Sequence, residues 1–123
     1  MAARVAAELT EDERGVLGKG LGEWGGPAAP TDEIARLLGF SDVRALRDDG
    51  RRIADAISAG EPLDPDDWRR ALLATELAFA SDVVGSGVDW QSTVGISDEE
   101  TIRLLRSIQR KLARIHRSRP HGR

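Results

Sequence analysis

The sequence predicts an all-α fold: a compact orthogonal or up-down bundle of about five helices forming a single domain. Three observations carry that prediction. N-capping residues followed by acids recur along the chain, at Thr10, Thr31, Ser41, Asp64 and Ser97. Glycine or Gly-Pro punctuation closes the segments they open, at Gly25-Gly26-Pro27, Gly39, Gly60 with Pro62, and Gly85. Apolar residues between these marks recur every three or four positions, and alternation of strand length is limited to a weak stretch around 83–94.

Taken in order, the expected helices cover residues 10–23, 32–39, 42–59, 65–84 and 98–117 of a domain spanning 1–117, followed by a disordered basic tail at 118–123. The first opens on Thr10 and carries Gly15, Gly18, Gly20 and Gly22, each costing about 1 kcal/mol relative to alanine, so packing must hold it. In the third, Val43, Leu46, Ile53, Ala54 and Ile57 share a face with Gly50, which predicts close contact with another helix there. The fourth starts with Asp64-Pro65, proline being favoured at the first helical position. Its residues Trp68, Leu72, Leu73, Leu77, Phe79, Ala80, Val83 and Val84 cover more than half its circumference, which predicts the central helix. The last pairs Ser97 with Glu100, the spacing of a capping box.

An apolar fraction of 40% with 32% charged residues places the 123-residue chain among globular proteins rather than disordered ones. There is no cysteine, which excludes disulfides, thiol nucleophiles and thiolate metal sites. There is no tyrosine, and the two histidines, His116 and His121, both fall in the basic terminal region. The acid–base inventory is thin, so no catalytic residue is assigned, no cofactor is implied, and no metal-ligand cluster is found. Asp64, Asp66 and Asp67 serve a helix start better than a cation. Gly15 to Gly20 includes Lys19 but lacks the Lys-Ser/Thr pair of a phosphate-binding loop. No stretch has the length and character of a signal peptide or a membrane span, so a cytoplasmic location is expected. Sixteen arginines against two lysines, among many alanines and glycines, suit a GC-rich bacterial genome.

Two internal features offer chemistry. Glu76 lies inside the apolar arc of the fourth helix, where a carboxylate must be paired or hydrogen-bonded. It is either a ligand-contacting acid or one half of an internal ion pair with Arg69 or an arginine of a neighbouring helix. The connection from Gly85 to Gly95 exceeds the usual helix–helix length and carries Asp89, Trp90, Gln91 and several hydroxyls beside Asp82. Glu76, Asp82, Asp89 and Trp90 are therefore the candidate ligand or loop site, with an ordered loop pinned by Trp90 as the purely structural alternative.

Ile34, Ala35, Leu38, Gly39 and Ser41 follow the pattern of an Ile-Ala pair, then Leu-Gly, then a polar residue opening a second helix. Over about a dozen residues this segment resembles the first half of a helix-turn-helix DNA-binding motif. The resemblance implies a reading helix within 42–59. That second half departs from the pattern: Asp42, Asp48, Asp49 and Asp55 stand beside Arg44, Arg47, Arg51 and Arg52, and residues 31–59 hold five bases against six acids.

The sharpest asymmetry is terminal. From Thr101 onward there are seven arginines and one lysine and no acid, whereas all 21 acids precede it, so a segment of +8 is joined to a body of -11. At about 100° per residue, Arg103, Arg106, Arg110, Arg114 and Arg117 form one stripe, with Ile102, Leu105, Ile108, Leu112 and Ile115 mostly opposite. These arginines are the candidate partner-binding residues. They suit an acidic protein partner, or nucleic acid, while the aliphatic seam suits self-association; a membrane is not expected, because that seam has no aromatic anchor. The alternative is folding back of the basic helix onto its own acidic body, helped by the helix macrodipole. The expected function is a small non-catalytic protein-interaction or regulatory module acting through the last helix. The alternatives are a DNA-binding regulator using 31–59, and a small-ligand or enzymatic domain using Glu76, Asp82 and Asp89.

Overall fold

The computed structural model describes residues 3–26 and 28–117; the expected disordered tail lies outside them. Among the described residues there are six α-helices, α1 (Glu11–Gly22), α2 (Asp32–Leu37), α3 (Val43–Ser58), α4 (Pro65–Ala80), α5 (Trp90–Val94) and α6 (Asp98–Arg117), with a 3-10 turn at Glu23–Gly25. The fold is all-α, as expected. The N-terminal segment meets the α3–α4 connection through a single antiparallel bridge between Val5 and Leu63.

Local caps set most helix starts. Thr10 opens α1 with a complete capping box: its hydroxyl accepts from Glu13 N, and the Glu13 carboxylate accepts from Thr10 N at 2.8 Å. Thr31 and Asp64 cap α2 and α4 as expected, accepting from Ile34 N and Asp66 N. The α3 cap differs. Asp42, not Ser41, accepts from Ala45 N, so the helix starts at Val43. A carboxylate is the stronger acceptor, and one residue of shift still leaves Leu46, Ile53 and Ile57 facing the core. Ser97 accepts from Glu100 N, yet the expected reciprocal bond is replaced by an ion pair of Glu100 with Arg103.

α4 stops at Ala80 rather than 84. Ser81 takes an extended conformation, and its hydroxyl accepts from Val83 N and Val84 N, which competes with the helical ladder. Val83 is consequently 87% exposed. No strand forms over 83–94; bends and a turn lead into the short α5.

The centre of the bundle is α1, not α4. α1 packs against α3, α4, α5 and α6, with Val16 and Leu17 fully enclosed. Gly20 makes this possible: a Cβ there would stand 2.4 Å from Thr75 Oγ1, so the α1 and α4 backbones approach at that point. α4 turns its small residues, Ala71, Ala74, Thr75 and Ala78, into this contact, leaving Leu72, Leu73, Leu77 and Phe79 half-buried at its margins. The apolar arc of α4 marked where bulk lies, but inter-axial distance is set by the smallest side chains. Trp24 and Trp68 tie distant segments to this framework, donating from Nε1 to Ala74 O and Val5 O respectively. At Gly50 the expected tight helix contact is not made; an added Cβ would meet only Leu21 Cδ2, at an ordinary 3.9 Å.

Candidate functional site

α6 presents two faces of opposite character. Leu105, Ile108 and Leu112 are 6%, 0% and 1% exposed, covered with Thr101 and Leu104 by the body of the same chain. Ile102, expected on that face, is 51% exposed. The seam considered for self-association is thus occupied within one subunit, against α4 and α1. Arg103, Arg106, Arg110, Arg114 and Arg117 are all exposed.

The acidic body neutralises α6 at one point only among the described ion pairs. Lys111 Nζ donates to Glu13 Oε1 at 2.6 Å. Glu13 is 2% exposed and also completes the α1 cap, so one buried carboxylate fastens the basic helix to the central one. Burial pushes its carboxyl pKa up, but hydrogen bonds from Lys111, Ser107 and Thr10 N outweigh that and hold it below the usual carboxylate range. Neither Glu13 nor Lys111 was singled out as a site residue from sequence. Thr10 and the acids after it mark a helix start, but nothing local marks a partner 98 positions away.

The arginine edge itself is little engaged. Arg103 pairs with Glu100 on the preceding turn, and this guanidinium holds the Glu100 carboxyl below its ordinary value. Arg106 donates to Gln109 Oε1 at 3.3 Å. Arg110, Arg114 and Arg117 make no ion pair with any described residue. The alternative of a basic helix folded back onto its acidic body therefore applies to Lys111 and, through the nearby charges of Asp12 and Glu13, to Arg103, whereas Arg110, Arg114 and Arg117 have no ion partner among the described residues.

No described side-chain hydrogen bond or ion pair joins any two of the four candidate ligand or loop residues. Glu76 is half-buried between α4 and α6, where Gln109 Nε2 donates to its Oε2 at 2.6 Å. It is satisfied by an amide rather than by the expected ion pair with Arg69 or another arginine. Asp82 and Asp89 are exposed on the α4–α5 connection. Trp90 is fully enclosed; its Nε1 donates to Thr101 Oγ1 at 2.8 Å and its ring meets Phe79 edge-on at 5.4 Å. It pins the connection, as the structural alternative held. Gly85 serves the same end, since a Cβ there would stand 2.5 Å from Leu77 O where the chain folds back over the end of α4.

The segment resembling a helix-turn-helix forms α2, a turn at Gly39 (φ +98°), and α3. Arg70 of α4 holds the turn in place: its Nε donates to Gly39 O at 2.8 Å and its guanidinium lies 5.9 Å from the Phe40 ring centre. Buried Asp67 receives both Arg70 and Arg52, so it locks α3 to α4 in addition to starting the helix. Donation of a hydrogen bond to Asp67 raises the Arg52 pKa further above its already high value. The exposed positions of α3 mix Arg44, Arg47 and Arg51 with Asp48, Asp49 and Asp55. Among the described residues, no group of acids or histidines could hold a metal ion, and no helix is long and apolar enough to cross a membrane. Comparison of the chain with protein-family models, curated proteins and solved structures finds no match.

Proposed function

We propose that this chain is a non-catalytic interaction module whose α6 arginine edge docks an acidic segment of a partner protein. One observation carries the reading: Arg110, Arg114 and Arg117 stand exposed, with no ion partner among the described residues, on a helix whose opposite face is locked into the core. The edge runs about 21 Å from Arg103 to Arg117 at 1.5 Å per residue. That matches a short acidic helix or strand. A long polyanion would continue past its N-terminal end onto Asp98, Glu99 and Glu100, which favours a protein segment over nucleic acid. Guanidinium groups suit carboxylates through paired, parallel hydrogen bonds.

A fluorescent glutamate-rich 15-residue peptide tests this by anisotropy over a salt series. Saturable binding that weakens with salt, and that is lost on R110E/R114E, supports the proposal. Absence of saturable binding at low salt overturns it. So does tighter binding of duplex DNA by the same edge, or unchanged binding by the double variant.

A further inference from the structure

A second surface feature is independent of α6. A cleft of about 490 Å³ lies between α3 and the end of α1, within the size range of small-ligand sites. Three glycines line it: Gly50 of α3, Gly22 of α1 and Gly25 of the 3-10 turn. Glycine inside a helix is costly, and two of these are helical. Yet none is demanded by the fold. A Cβ at Gly22 or Gly25 would meet nothing within 4 Å, and at Gly50 only Leu21 Cδ2 in ordinary contact. None of the three has a positive φ. Alanine would fit all three positions, and at Gly50 its methyl group would stand beside Leu21, another residue of the cleft wall.

The remaining walls have a definite chemistry. Arg47 and Arg51, one helical turn apart on α3, line the cleft and make no ion pair with any described residue. By helical angle, Asp48 and Asp55 lie about 100° and 80° round from Arg47, whereas Gly50 and Ala54 lie on the other side of it. The acids of α3 therefore flank the arginine pair from outside the cleft. Trp24 contributes an apolar wall; its indole N–H is already committed to Ala74 O.

We infer that this cleft is a binding site for a phosphate-bearing small molecule, with Arg47 and Arg51 holding the phosphate and the glycine floor admitting the rest of the ligand. Two guanidinium charges match the charge of about -1.5 to -2 on a phosphomonoester near neutral pH. Paired N–H donors one turn apart suit its oxygens.

Amide NMR with inorganic phosphate and with glycerol 3-phosphate, against sodium chloride at equal ionic strength, tests this. The expected result is saturable movement of the Gly22, Gly25 and Gly50 amides by phosphate and not by chloride. Tighter binding of the ester than of inorganic phosphate is expected, since the glycine floor admits the rest of the ligand; equal binding of the two overturns the inference. R47Q/R51Q is a surface change that leaves the fold intact and weakens binding by about 10-fold or more. G50A raises the melting temperature while weakening binding of the ester. Chloride producing the same shifts, or R47Q/R51Q binding as the parent does, overturns the inference; so does G50A binding the ester undiminished.

Discussion

Within one helix, two glycine-to-alanine substitutions are expected to have opposite effects. Gly15 and Gly20 both lie in α1 with helical backbone, and each loses about 1 kcal/mol of intrinsic helix stability relative to alanine. At Gly15 an added Cβ meets nothing within 4 Å, so G15A gains most of that, about 0.5–1 kcal/mol. At Gly20 the same methyl stands 2.4, 2.6 and 2.7 Å from Thr75 Oγ1, Cγ2 and Cβ. Thr75 has no room to yield. It is fully buried, its β-branched side chain is stiff, and its hydroxyl donates to Ala71 O at 2.9 Å. α1 and α4 must then separate, which costs about 1–3 kcal/mol beyond the propensity gain. G20A is expected to lose about 1–2 kcal/mol net, leaving it about 2 kcal/mol less stable than G15A. Urea denaturation with a common m-value reads the difference directly. T75A removes two of the three opposing atoms and should partly rescue G20A, with a favourable coupling of about 0.5–1 kcal/mol in the double-mutant cycle. G20A as stable as G15A, or no coupling to Thr75, would refute the placement of α1 at the centre through this contact.

Two further outcomes follow from the buried polar contacts. The Glu13 carboxyl is held below its ordinary pKa of 4.5, so the folded chain binds fewer protons there than the unfolded one. Its contribution is complete above that ordinary value and is lost as pH falls through the lower folded pKa. E13Q should therefore destabilise at pH 7 by about 1–3 kcal/mol and flatten the acid limb of stability against pH; an unchanged acid limb would exclude this role. W90F keeps an aromatic edge near Phe79 but removes the donor to Thr101, and should cost about 1–2 kcal/mol by thermal or urea unfolding; a loss under about 0.3 kcal/mol would show that Trp90 does not pin the α4–α5 connection.

What was legible from sequence follows the reach of each interaction. Thr31, Asp64 and Ser97 cap their helices through bonds to residues two or three positions on, so the information is local and the starts are readable. The exposure of the arginine stripe on α6 and the burial of Leu105, Ile108 and Leu112 follow from helical periodicity alone. Where two local acceptors compete, as Ser41 with Asp42, or where a hydroxyl competes with the helix, as at Ser81, the boundary moves by one to several residues. Sequence stated the chemistry of Glu76 correctly as a carboxylate needing a partner, but identifying Gln109 required knowing how α4 lies against α6.

The chain by itself determined the all-helical class, the order of its longer helices and the two-sided character of the last one, because capping, glycine punctuation and periodicity act within a few residues. Tertiary structure alone decided which helix is innermost, which glycine is indispensable and which carboxylate receives Lys111. Gly15 and Gly20 are chemically identical and five positions apart; only the approach of Thr75 from another helix distinguishes them. Such distinctions depend on distances between segments remote in the chain, and close packing converts differences of an ångström into opposite energetic signs.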